Sequence, residues 1–104
     1  MSGMFIKIEP NGRKTIHEYS QKGPPRLEIL QELVGGYIER VRVKYEGKLR
    51  DAYLDEEGLI RYTAKDTNMY AFDMIAAASS YPVIQMFLGP IVIWIPDKRV
   101  KKSV

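Results

Sequence analysis

The sequence predicts an α+β fold, in which a single domain packs two helices against a small, mostly antiparallel sheet. Three observations predict it: two pairs of strand-like segments are each joined by a turn sequence, two segments with helical spacing have recognisable ends, and a late run of apolar residues is typical of a buried strand. The predicted order is β-β-α-β-β-(β)-α-β, where parentheses mark the weakest strand. The chain of 104 residues has the length of one domain, which we assign to residues 1–96.

The first two strands flank a turn sequence. Residues 4–9 alternate weakly between apolar and polar side chains and are followed by Pro10-Asn11-Gly12. Asn-Gly favours a tight turn because both residues tolerate positive φ. Residues 14–19 are the second strand, and the two strands can pair as a hairpin through a connection of two or more residues.

The first helix is predicted over residues 26–34, after Gly23-Pro24-Pro25, because proline fits the first helical turn. Gly35 and Gly36 are predicted to end it, since a helix commonly closes with a left-handed residue. Phosphate-binding glycines precede a helix, so we do not expect an anion here. The apolar stripe is wide enough for either deep burial or a homodimer. It consists of Leu27, Ile29, Leu30, Leu33 and Val34.

A second hairpin is predicted over residues 37–54, with its turn at Glu46-Gly47. A turn of two residues places Tyr45 opposite Lys48 and thereby sets the register of the whole hairpin. The face expected to point to the core consists of Val41, Val43, Ala52 and Leu54. The opposite face consists of Arg40, Arg42, Lys44, Leu49, Asp51 and Tyr53.

An acidic turn follows this hairpin. Asp55, Glu56 and Glu57 form the densest acidic cluster of the chain, but their spacing does not match a calcium-binding loop. We therefore predict a solvated turn rather than a cation site. Residues 59–62 after this turn are the weak strand of the predicted order.

The last helix and the last strand complete the predicted fold. Asn68 is a suitable N-cap, since its side chain can accept a hydrogen bond from a free N–H of the first turn, and it precedes a helix over residues 69–79. The face of this helix expected to be buried consists of Met69, Phe72 and Ala76. Residues 91–95 are five consecutive apolar residues between Gly89-Pro90 and Pro96, the pattern of a strand covered on both faces.

The net charge of +3 belongs to the C-terminal residues. Of the 16 basic and 13 acidic residues in the chain, residues 97–104 hold four basic and one acidic, which leaves 12 of each in residues 1–96. We therefore predict that residues 97–104 form a solvated basic tail rather than a contact for phosphate or for an anionic surface.

Residue usage excludes several chemistries. The chain has no cysteine, which excludes disulfides, thiol nucleophiles and cysteine-ligated metal, and its single histidine, His17, excludes a histidine-rich metal site. No apolar run reaches the roughly 18 residues of a membrane span. We expect a cytoplasmic protein that is not an enzyme and uses no cofactor or metal. The enzyme alternative is a hydrolase, for which one catalytic pair can be tested, His17 with a carboxylate of residues 55–57.

The candidate binding face is the polar side of the second hairpin, with Arg40, Arg42, Lys44 and Tyr53. A period of two places the three cations on one side of a strand, and Tyr53 lies across from Arg40. Cations beside an aromatic ring suit a phosphate backbone with a stacked base, or an acidic protein surface. The competing interpretation is a solvated face on which Asp51 neutralises Arg42 across the strands.

Residues 30–39, LQELVGGYIE, resemble the signature of a small domain family of unknown function found mostly in bacteriophages and plasmids. Later marks of that family match here Asp55-Glu56-Glu57-Gly58, Asn68 and Gly89-Pro90. The resemblance implies a mobile-element origin, where short accessory proteins modulate host or defence machinery by binding. We therefore expect a non-enzymatic accessory protein that binds a host or defence component in the host cytoplasm. The alternative is a nucleic-acid or small signalling-nucleotide binding protein that uses the basic and aromatic strand face.

Overall fold

A computed structural model describes residues 3–21 and 23–96 of the chain. Five strands form one antiparallel sheet, and they are β1 (Gly3–Ile8), β2 (Lys14–Tyr19), β3 (Ile38–Tyr45), β4 (Lys48–Asp55) and β5 (Ile91–Pro96). The helices are α1 (Leu27–Val34), the single turn α2 (Gly58–Arg61) and α3 (Met69–Ala78). The predicted α+β class is confirmed. The predicted basic tail, residues 97–104, lies outside the described residues. Within the described residues, no helix is both long enough and apolar enough to cross a membrane.

The weak strand predicted over residues 59–62 is wrong, because this segment forms the helical turn α2. The Arg61 guanidinium reaches back to two carboxylates, with Nε 2.9 Å from Asp55 Oδ2 and Nη2 3.7 Å from Glu57 Oε2. A helical turn brings residues four apart together, whereas an extended strand would carry Arg61 away from Glu57. The ion pairs therefore favour the helical conformation.

The sheet order is β2-β1-β5-β4-β3, which places the apolar strand β5 in the centre. Ile91, Ile93 and Ile95 face α3, whereas Val92 and Trp94 face α1. We call these two faces of the sheet the α3 side and the α1 side. Coverage on both sides explains why β5 has no polar alternation, as the sequence predicted.

Both predicted hairpins are present. In β3–β4 the register has Tyr45 opposite Lys48 and Arg42 opposite Asp51, as predicted. The β1–β2 connection is longer than two residues and is closed by a hydrogen bond from Glu9 N–H to the Arg13 carbonyl, 2.9 Å.

The α3 side holds the larger core. The residues of α3 that are buried there are Ala71 and Ile75, with Phe72 packed against the same cluster. Met69 is exposed, so the predicted buried face of this helix is wrong: the observed buried face is rotated from it by part of a turn. The reason is Asn68, whose buried side chain ties the start of α3 to the sheet and sets the rotation of the helix.

The α1 side holds a smaller core around three aromatic rings. The Trp94 ring centre lies 4.9 Å from that of Phe5 and 5.5 Å from that of Tyr19. Leu30 and Val34 of α1 pack on this cluster, but Leu27 is exposed, contrary to the predicted stripe. The helix meets the sheet through its last two turns, so its first residue has no sheet beneath it.

The predicted helix end is confirmed, and the two glycines have different surroundings. Gly35 has φ 94° and ψ 16°, in the left-handed region, and its N–H donates to the Gln31 carbonyl at 2.8 Å. Gly36 has no positive φ, but a Cβ there would lie 3.0 Å from Arg61 Nη2 and 3.1 Å from Asp55 Oδ2. Gly35 is therefore required by the backbone conformation, whereas at Gly36 a Cβ would only crowd two neighbouring side chains.

We expect Gly35→Ala to destabilise the protein more than Gly36→Ala. An alanine in the left-handed region costs about 1–2 kcal/mol, whereas at position 36 the Arg61 side chain can move aside. Urea unfolding of both variants measures the difference. If both variants keep the stability of the wild type and lose a binding activity instead, the glycines belong to a site and the capping interpretation is wrong.

Candidate functional site

The three predicted cations lie exposed along β3, on the α1 side of the sheet. Arg42 Nη1 lies 2.9 Å from Asp51 Oδ1, so Asp51 neutralises this cation across the strands, as the solvated-face interpretation expects. Among the described residues Arg40 and Lys44 have no acidic partner. They are four residues apart on an extended strand, so their Cα atoms are separated by about 13 Å. We call Arg40, Arg42 and Lys44 the basic edge.

Tyr53 does not belong to this exposed face, which corrects the prediction. It lies opposite Arg40, but its side chain is only 8% exposed and packs among Leu30, Val34 and Val92. Burial raises the pKa of the Tyr53 phenol above its ordinary value, the Asp51 carboxylate raises it further, and Arg40 acts in the opposite direction. The cause of the error is α1, which covers the middle of this side of the sheet and leaves the basic edge open. A buried ring cannot serve as a stacking surface for a base.

The main chain of the basic edge also lacks a partner. The β3–β4 turn has positive φ at Glu46 (51°) and Gly47 (77°), the type I′ geometry in which Tyr45 and Lys48 are hydrogen-bonded. Hydrogen-bonded positions then recur at every second residue, so the N–H and C=O groups of the basic edge point away from β4. Because β3 is an outer strand, no described residue hydrogen-bonds to these groups.

The acidic turn is not solvated throughout, contrary to the prediction. The side chain of Asp55 is 0% exposed, and its Oδ1 accepts a hydrogen bond of 2.8 Å from Glu57 N–H. Arg61 Nε lies 2.9 Å from the other oxygen, although its N–H is not aimed at it, so this contact is an ion pair without a hydrogen bond. Glu56 and Glu57 are exposed, as predicted. Asp55 therefore stabilises the turn and is closed to a ligand.

The tested catalytic pair is not assembled. His17 lies on β2 and Asp55 ends β4, two strands that are not neighbours in the sheet, and among the described residues no hydrogen bond or ion pair joins His17 to residues 55–57. The nearest polar partner of its ring is the Thr15 hydroxyl, 3.1 Å from His17 Nε2. Within residues 3–21 and 23–96, no three His, Asp or Glu side chains are grouped so that they could hold a metal ion.

Two further surfaces were missed by sequence reasoning. One is an open depression of about 610 Å³ beside the β1–β2 turn, where Lys65 and Asp66 meet Lys7, Glu9 and Arg13. The depression joins residues almost sixty positions apart, so no local signal could have found it. Its basic and acidic side chains nearly balance, which gives it little preference for the charge of a ligand.

The second missed surface is apolar. Leu59 of α2 lies with Met86 at one small cavity, and the neighbouring side chains of Ile60 and Ile84 are exposed, Ile84 to 96%. Neither the four-residue helix nor the irregular segment 79–88 has an apolar period, so the sequence offered no pattern to recognise.

No protein-family model, curated protein or solved structure matches the chain.

Proposed function

We propose that this protein is a non-enzymatic accessory protein of a bacteriophage or other mobile element, and that its basic edge binds an acidic surface of a host or defence protein. The observation that carries the proposal is the pair of exposed cations, Arg40 and Lys44, which have no acidic partner among the described residues. The mobile-element origin is supported by the resemblance of residues 30–39 to the phage and plasmid family.

The charge of the basic edge is local. Residues 1–96 carry equal numbers of basic and acidic residues, yet the three cations of the basic edge form only one ion pair with the described residues, that of Arg42 with Asp51. Such a patch attracts an acidic surface within a Debye length of about 8 Å at physiological ionic strength. The exposed side chain of Leu49 lies opposite Lys44 and adds an apolar contact beside the cations.

Nucleic acid or a signalling nucleotide is the weaker alternative for this surface. Single-stranded nucleic acid is bound by cations together with exposed aromatic rings, on which the bases stack. The burial of Tyr53 removes the ring that the sequence offered for this purpose. Arg40 and Lys44, which have no acidic partner in the part of the chain that the structure describes, then remain for a phosphate backbone, and two cations support a weak and strongly salt-dependent contact.

Affinity capture from nuclease-treated lysate of the host cell tests the proposal. We expect the wild type to retain one acidic protein, and the double variant Arg40→Glu, Lys44→Glu to retain at least about tenfold less of it, because two attractive contacts become repulsive. The matched control is Arg13→Glu, Arg26→Glu, which makes the same change in net charge at two exposed positions that form no ion pair with any described residue.

Three outcomes contradict the proposal. Equal losses in both double variants would mean that net charge rather than the basic edge determines capture. Failure of the wild type to retain any protein in mild salt would remove the protein partner. Capture that occurs from untreated lysate but not from nuclease-treated lysate would favour the nucleic-acid alternative.

A further inference from the structure

We propose that the basic edge takes up an extended acidic segment of its partner as a sixth strand, antiparallel to β3. This inference rests on the proposed function, because it uses the same three side chains, and adds the way in which the partner is held. The partner segment carries acidic residues four positions apart on one side and pairs with β3 through its main chain.

The main-chain geometry is the first support. At Arg40, Arg42 and Lys44 the N–H and C=O groups point away from β4, in the plane of the sheet and beyond its edge. No described residue forms a hydrogen bond with these groups. A strand added at such an edge gains a ladder of hydrogen bonds, while its alternate side chains determine which segments fit. Every neighbouring pair in this sheet is antiparallel, so an antiparallel sixth strand continues the existing pattern.

The charges of the same residues specify the segment. In an antiparallel ladder, directly opposite side chains lie on the same side of the sheet. Arg42 already has Asp51 beside it on β4, whereas among the described residues Arg40 and Lys44 form no ion pair with a carboxylate. The two unpaired cations are two residues before and two residues after Arg42. An incoming strand therefore matches them with two acidic residues that are four positions apart.

The alternative occupants of this edge are excluded by charge. Pairing of β3 with β3 of a second copy would place cations opposite cations, which destabilises a strand pair. Residues 97–104 carry four basic residues and are equally unsuitable. Charged side chains on edge strands protect proteins against non-specific pairing. Here all three charges are positive, and this protection therefore does not act against an acidic strand.

The other outer strand, β2, lacks this combination. The hydrogen bond between Glu9 and Arg13 makes Lys14, Ile16 and Glu18 the outward-facing positions of β2. They include one cation and one anion, and Lys14 Nζ already lies 5.6 Å from the ring centre of Tyr45. The outward amides of β2 therefore provide an internal control for the test.

The test uses three synthetic seven-residue peptides of threonine and valine, with glutamate at the second and sixth positions. The first has an ordinary main chain. The second is N-methylated at its second, fourth and sixth residues, whose N–H groups would face β3, and the third at its third and fifth residues, whose N–H groups would face away. Each is titrated to millimolar concentration into the ¹⁵N-labelled protein, and amide hydrogen exchange is measured.

We expect the first and third peptides to bind and to slow exchange of the outward amides of Arg40, Arg42 and Lys44 by about tenfold at saturation. The second peptide should not bind, and the outward amides of β2 should be unchanged. In the variant Arg40→Glu, Lys44→Glu, binding of the first peptide should be lost.

The inference is overturned if the first peptide does not bind, or if the second peptide binds as tightly as the first. It is also overturned if the third peptide is the only one that does not bind. These results are distinct from failure of the proposed function. Capture of an acidic protein through Arg40 and Lys44 together with equal binding of both methylated peptides would mean that the charges act without strand addition.

Discussion

Asn68→Ala should lower the free energy of unfolding by about 4 kcal/mol, since three buried hydrogen bonds are lost at about 1–1.5 kcal/mol each. Asn68 is 0% exposed; its Nδ2 donates to the carbonyls of Ile8 and Gly89, each at 3.0 Å, and its Oδ1 accepts from Ala71 N–H at 3.0 Å. One side chain thus joins β1, the segment before β5 and the first turn of α3. Chemical denaturation monitored by tryptophan fluorescence measures the loss.

Asn68→Asp distinguishes the two roles of this side chain. The carboxylate keeps the oxygen that caps α3 but turns the two donated hydrogen bonds into repulsive contacts with the carbonyls of Ile8 and Gly89. We therefore expect a loss at least as large as for alanine. Asn11→Ala, at an exposed turn position with one hydrogen bond from Arg13 N–H, is the control and should change stability little. Wild-type stability of the Asn68→Asp variant would mean that capping is the only role.

Gly89→Ala should have the second largest effect on stability, about 3 kcal/mol, because it combines an unfavourable backbone conformation with overpacking. Gly89 has φ 86°, and a Cβ there would lie 2.5 Å from Cε2 of the Tyr62 ring. The Gly89 N–H also donates to the Asp66 carbonyl at 2.9 Å, so the backbone cannot move away freely.

The matched control for this substitution is Gly47→Ala. Gly47 has φ 77°, but a Cβ there would meet nothing within 4 Å, so only the backbone contribution of about 1–2 kcal/mol remains. In a Tyr62→Ala background, the cost of Gly89→Ala should fall to that of the control, which a double-mutant cycle measures. Equal costs for Gly89→Ala and Gly47→Ala in the wild type would contradict the overpacking argument.

Local signals predicted the elements of this fold well, because the interactions that determine them are local. A two-residue turn sets the β3–β4 register, so every pair from Tyr45–Lys48 outward could be derived from Glu46-Gly47. The end of α1 at Gly35 and the start of α3 at Asn68 follow likewise from the properties of single residues.

Burial and strand order could not be predicted in the same way. Tyr53 alternates correctly with its neighbours, yet whether its side of the strand meets solvent depends on α1, which is eight residues long and covers part of the sheet. Asp55 is buried because Arg61 folds back onto it, a pairing that competes with the solvated turn suggested by three consecutive acids. The open edge of β3 depends on β5 entering between β1 and β4, which no local pattern specifies.

The central position of β5 has a consequence for biosynthesis. A ribosome that has reached residue 90 has produced both hairpins, but the strand that lies between them does not yet exist. A two-stranded hairpin is marginally stable by itself, and until β5 is made no strand joins the two hairpins into one sheet. Protection from proteases and from aggregation should therefore begin abruptly when residues 91–96 leave the ribosome, rather than growing with chain length.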